Sequence, residues 1–145
     1  MNTRKAANEM LIQASHRLAT VRKESKSGSK AYAIRSAQEY AELALKAALK
    51  SIGIDYPKRH DVSRVLLEVK DRLPSWFAVD TIAEENIWLA ERREPAMYGS
   101  ETSDLGPDSL FSREDALTAL RYSKHIFNQC KRLISPTSRK KRALQ

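Results

Sequence analysis

Apolar side chains recur along this chain at intervals of three and four residues, and no stretch alternates with a period of two, so the pattern predicts helices throughout. Leu11, Ala14, Leu18 and Val21 mark a first helix from about residue 3 to 24. The run "SKSGS" breaks it at Gly28 and offers Ser29 as the N-cap of a second helix. That second helix, "KAYAIRSAQEYAELALKAALKSIG", is crowded with strong helix formers and closes on Gly53 with Ile54 behind it, a C-cap pattern. At 1.5 Å per residue it spans roughly 36 Å. Ala33, Ala37, Ala41, Ala44 and Ala48 form a stripe along it that lets a neighbouring helix come close.

The segment "YPKRHD" reads as a turn, with Asp61 capping a short third helix that holds Val62, Val65, Leu66 and Val69 and ends at Pro74. Thr81 with Glu84 is a capping-box signature for a fourth helix carrying Ile82, Ile87, Trp88 and Leu89. After the loop "MYGSETSDLGPDSLF", Ser112 with Asp115 is a second such signature, opening a last helix with Leu117, Leu120, Phe127, Cys130 and Ile134 on one side. The expectation is an all-α fold, an up-and-down antiparallel bundle of about five helices.

Composition narrows this picture in three ways. A length of 145 residues suits one domain, taken as residues 1–135, with 136–145 as a basic and flexible C-terminal tail. No apolar run approaches the roughly 18 residues that span a bilayer, and "MNTRKAANEMLIQASHR" is polar where a signal peptide is apolar, so a cytoplasmic protein is expected. Cys130 is the one cysteine, which excludes an intrachain disulfide and a cysteine metal cage; it reads as a small buried hydrophobe rather than a reactive thiol. Of the formal net charge of +8, six positive charges fall after residue 130 with no acid among them: Lys131, Arg132, Arg139, Lys140, Lys141 and Arg142. A polyanion such as a phosphate backbone is therefore suggested chiefly by the tail residues Arg139, Lys140, Lys141 and Arg142, against a plain solvated terminus.

Candidate chemistry is sparse. "RREPAMYG" brings Arg92, Arg93 and Tyr98 together at the end of the fourth helix, and "RYSKH" puts Arg121 and His125 on one face of the last. A phosphate cradle is possible at Arg121 and His125, with a surface helix pair as the alternative. His60 stands beside Asp61 at the start of the third helix, where capping and packing compete with ligand contact, and His16 is isolated beside Arg17. The three histidines lack metal-site spacing, so no metal and no cofactor is expected. There is no Gly-rich phosphate loop, no serine-nucleophile motif, and no run of aromatics among basic residues of the kind that reads single strands. Trp76, Phe77 and Trp88 lie among Val79, Ile82, Ile87 and Leu89 and read as core rather than stacking platforms.

The long helix "YAIRSAQEYAELALKAALKSIGI", the following "YPKRHDVSRVL", and "REPAMYG" ahead of "SREDALTALRYSKHIFNQCKRLI" together resemble the higher-eukaryote and prokaryote nucleotide-binding domain, HEPN, in its short stand-alone prokaryotic and archaeal form. The likeness runs from about residue 5 to 134. It implies a helical bundle that commonly dimerises and is often encoded beside a minimal nucleotidyltransferase as a toxin–antitoxin pair. Many members are metal-independent ribonucleases in which an Arg and, four to six residues on, a His meet across the dimer interface; the Arg stabilises phosphate charge and the His moves a proton. Arg93 stands at the place of that Arg, but Tyr98 takes the place of the His, and Glu94 and Pro95 replace the usual polar residues after the Arg. A tyrosine hydroxyl, with an ordinary pKa near 10, is a poor base at pH 7. The Arg121–His125 spacing is one short of the family's.

The resemblance therefore implies a nucleotide- or RNA-binding and partner-binding module, with Arg93 and Tyr98 as ligand residues and Arg92 in support. The alternatives are an active ribonuclease using Arg93 with Tyr98, or Arg121 with His125, and a purely structural partner protein.

Overall fold

The computed structural model describes residues 3–56 and 58–135, and these are helical without a strand. Six helices follow in order: α1 (Thr3–Ser15), α2 (Leu18–Ser27), α3 (Lys30–Ser51), α4 (Ser63–Glu68), α5 (Val79–Tyr98) and α6 (Arg113–Ile134). Single 3-10 turns at Lys70–Arg72 and Pro107–Leu110 complete them. The fold is an all-α bundle in which α3 lies centrally, packed against α1, α2, α5 and α6. The basic residues Arg139, Lys140, Lys141 and Arg142 lie outside the described residues.

The second predicted helix forms with both of its ends as read. The Ser29 side chain accepts the Tyr32 amide. At the other end Gly53 turns left-handed at φ 77°, its amide bonding to Lys50 O and the Ile54 amide to Leu49 O. That double closure satisfies carbonyls the last turn would otherwise leave open. Ala33, Ala37, Ala41, Ala44 and Ala48 are all buried, so the small-residue stripe faces other helices.

Three local expectations are corrected. The predicted first helix is two, meeting at His16–Arg17. The Ser15 hydroxyl donates to Ile12 O at 2.6 Å and the Arg17 guanidinium to Gln13 O at 2.9 Å; side chains thus take up carbonyls of the backbone ladder, and the axis is interrupted without Pro or Gly. The fourth predicted helix begins at Val79 rather than at a Thr81–Glu84 box, and no side chain caps it. Its start is set instead by Phe77 and Val79, which insert into the core, after a turn closed from the Phe77 amide to Pro74 O. On α6 the Ser112–Asp115 box is present in both directions, at 3.0 and 2.9 Å. Its buried stripe, however, runs through Ala116, Ala119, Ser123, Ile126, Phe127, Cys130, Leu133 and Ile134, leaving Leu117 exposed.

Long-range polar contacts tie helix ends to distant elements. Asp108 accepts from the Ala31 amide and the Ser29 hydroxyl, capping α3 a second time from the α5–α6 connection. Those two donors hold its carboxyl below the usual carboxylate range. Arg113 donates to Glu24 O, Ser25 O and Gly28 O at the end of α2. Arg4 of α1 reaches Ile134 O at the end of α6, 2.8 Å away. Arginines at helix C-termini meet both orphan carbonyls and the negative end of the dipole.

Candidate functional site

The segment "RREPAMYG" forms the last two turns of α5, which continues through Pro95 to Tyr98 and stops at Gly99. Gly99 has φ 77° and ψ −159°, a region open essentially to glycine, and a Cβ there would stand 2.3 Å from Leu105 O. The chain then folds back, with Ser100 and Leu105 exchanging backbone hydrogen bonds.

Successive residues of α5 are about 100° apart around the axis, and this separates Arg92 from Arg93. Arg93 turns toward α3, where its guanidinium donates to Gln38 Oε1 and lies 3.6 Å from Glu39 Oε1. Gln38 is fully buried; its amide donates to Glu42 Oε1 at 2.8 Å and to His60 O at 3.2 Å. Glu42 also meets His60 Nδ1 at 2.8 Å and Lys46 Nζ at 2.9 Å. Burial raises the Glu42 carboxyl, but the hydrogen bonds from Gln38, Lys46 and His60 outweigh it and hold the group below its ordinary value. Beside this chain, Asp61 accepts the Ser63 amide and the Asn86 side-chain amide, and buried Asn86 also donates to Ser63 Oγ at 2.8 Å.

Of these groups His60, Asp61 and Arg93 line a cleft of about 390 Å³, together with Ala90, Glu94, Met97 and Tyr98. Arg93 and Tyr98 thus share a cleft, and His60 joins them. Tyr98 is 69% exposed, and on its far side a second hollow is edged by Glu91, Glu94 and Glu101. The cleft is therefore mixed in charge: Arg93 is already neutralised in part by Glu39, while Asp61 and Glu94 oppose an anion. His60 lines the cleft with its Nδ1 held by Glu42 at 2.8 Å.

Arg92 stands apart from this cleft. Its guanidinium lies 3.9 Å over the Trp88 ring and donates to Trp88 O at 2.9 Å. Arg121 and His125 do not close on each other. His125 Nδ1 pairs with Glu85 Oε1 of α5 at 2.6 Å, and Arg121 lies against Tyr122, 5.4 Å from the ring centroid. Sequence leaves His60 a choice between local structure and ligand contact; its place in the cleft arises because the α3–α4 turn is laid against α5, 33 residues further on. Phe77 is core, whereas Trp76 and Trp88 are only half-buried at its edge. Cys130 is fully buried, and burial raises its thiol well above the ordinary range.

Among the described residues no three His, Cys, Asp or Glu side chains are grouped to hold a metal ion, and no helix is long and apolar enough to cross a membrane. In sequence, no match is found among curated proteins. In three dimensions the chain is similar to TT1696 from Thermus thermophilus, a crystal structure, with a TM-score of 0.73 and 25% identity over 92% of this chain and 99% of that one. The family model described as HEPN domain matches residues 7–133.

Proposed function

The chain belongs to the HEPN domain family, and from that premise we propose that it is a nucleotide- or RNA-binding and partner-binding module, acting in the cytoplasm and not cutting what it binds. The observation that carries this reading is the cleft in which Arg93 and Tyr98 stand together. Arg93 is held in place by Gln38 and Glu39, so its charge is positioned before any ligand arrives, and the exposed Tyr98 ring offers a surface on which a base can stack. Tyr98 fills the family's histidine position and supplies no efficient base. A dimer, and pairing with a minimal nucleotidyltransferase as the HEPN half of a toxin–antitoxin system, belong to the same proposal through the family.

One observation favours a second reading, an active ribonuclease. His60 shares the Arg93 cleft and its Nδ1 is oriented by Glu42, the arrangement that fixes the tautomer of a general base. Arg93 would then stabilise phosphate charge while His60 took the proton of the attacking 2′-hydroxyl.

The deciding experiment incubates the purified protein with mixed structured and single-stranded RNA, following binding and cleavage together. Binding without cleavage, weakened about tenfold by Tyr98→Ala through lost stacking, supports the module. Cleavage abolished by His60→Ala, with helical content unchanged by circular dichroism, replaces it with the ribonuclease. If neither RNA nor nucleotide binds while a co-expressed nucleotidyltransferase co-purifies, a purely structural partner remains.

A further inference from the structure

On the side of α5 away from the cleft, the seam between α5 and α6 collects side chains from three separate segments of the chain. The two helices are antiparallel, and their contacts keep one register: Trp88 packs edge-on against Tyr122, with ring centroids 5.4 Å apart, and Glu85 meets His125. Beyond the start of α5, Trp76 meets Arg132, whose guanidinium lies 4.0 Å from the indole centroid. At the other end Arg92 covers Trp88 at 3.9 Å. On α6, Tyr122, His125, Gln129 and Arg132 follow at spacings of three and four and so share a face. From Tyr122 to Arg132 this strip runs about 15 Å at 1.5 Å per residue.

The strip has the chemistry of a binding surface rather than of core. Trp76, Trp88, Tyr122, His125, Gln129, Arg92 and Arg132 are all half-buried. Two polar atoms beneath it, Gln129 Oε1 and Arg132 Nε, are buried and have no hydrogen-bond partner. The guanidinium of Arg92 donates to Trp88 O, which holds it over the indole. His125 commits Nδ1 to Glu85. The acids on the strip are Glu85, already paired, and the exposed Glu91, 4.0 Å from Arg92.

We propose that this α5–α6 seam is a track for single-stranded RNA. Phosphates lie against Arg92, Arg121 and Arg132, and bases stack on the Trp88–Tyr122 pair and on the guanidinium plane laid over Trp88. A flexible strand suits the surface because stacking tolerates any base, while the arginines supply a backbone charge match. The inference rests on the RNA-binding half of the proposed function and gives it a second site, distinct from the Arg93–Tyr98 cleft.

Trp76 and Trp88 are the two tryptophans of the chain, so intrinsic fluorescence reports on the track directly. The protein is titrated with an oligouridylate of about ten nucleotides, a length within the usual span of single-strand sites, and with inorganic polyphosphate of equal charge. The expected result is quenching by the RNA and about tenfold weaker binding for Trp88→Leu. The slope of log affinity against log salt should shrink by about 0.7 for each of Arg92→Gln and Arg132→Gln. Glu91→Gln should strengthen binding, which a packing role alone would not produce. Circular dichroism and thermal melts confirm that each variant is folded.

If RNA binding is weakened by Tyr98→Ala and by none of the seam variants, the track is overturned and the proposed function stands. Polyphosphate binding as tightly as RNA, with the same variants affected, would reduce the seam to an anion strip and overturn base stacking. If no RNA binds and the arginine variants change the mass in light scattering, the seam is an interface between copies, and the track is overturned together with the RNA-binding half of the proposed function.

Discussion

Arg93 does two things at once, and a substitution separates them. Its guanidinium is a partner of the fully buried Gln38, so Arg93→Ala leaves Gln38 Oε1 desolvated and unpaired. We expect a loss of about 1–3 kcal/mol, read by urea denaturation, in addition to any loss of ligand binding; a binding assay without a stability measurement would confuse the two. The ionisable groups nearby set the pH range of the fold. Glu42 has its carboxyl lowered in the folded state, so its contribution is present above the ordinary unfolded value and is lost as pH falls through the folded one. Tyr40 is pushed up to about 12 by burial, against an opposing pull from Arg22; its contribution is complete below pH about 10 and disappears as pH rises toward the folded value. Thermal melts across pH should show a plateau between these limits, with Glu42→Gln removing part of the acid slope and Tyr40→Phe part of the alkaline one.

Among the elements, α3 has the most support at its start, because Asp108 adds an acid from a distant loop to the Ser29 cap. Asp108→Ala should cost on the order of 1 kcal/mol, seen as a lower melting temperature with most of the helical content kept. How far each element could be read in advance follows from where its determinants lie. Helix α3 was legible from end to end, since its Ala-rich body, Ser29 and Gly53 are all local. The Ser112–Asp115 box was legible for the same reason. The break between α1 and α2 was not, because it depends on the Ser15 and Arg17 side chains competing for carbonyls, and neither residue is a helix breaker by type. The candidate site divides likewise. Arg93 and Tyr98 were visible as a local motif, whereas His60 and the tryptophan–arginine pairs of the seam are assembled only by packing. Trp76 and Arg132 are 56 residues apart, and no pattern of nearby residues announces their meeting.

At the scale of the whole molecule, the bundle depends on close approach of helices to α3. Ala44 is fully buried on the stripe that permits it, so Ala44→Leu should overpack the core and cost about 1–3 kcal/mol, measured by denaturant unfolding; the same change at an exposed position should be nearly neutral. The stacked rings of Tyr40 and Phe127, 4.9 Å apart, show how directly the second-half helix completes the first-half core.

The bond from Arg4 to Ile134 O ties α1 to the end of α6, and α3 also packs more extensively against α6 than against any other helix. On a ribosome, α1 to α3 emerge first, at about 5–20 residues per second, and wait several seconds for the partner that covers Tyr40 and the face around it. The nascent chain must hold that apolar surface in abeyance until α6 is free of the exit tunnel. Chaperone contact with the unfinished chain should therefore end not gradually, helix by helix, but with the release of the last one.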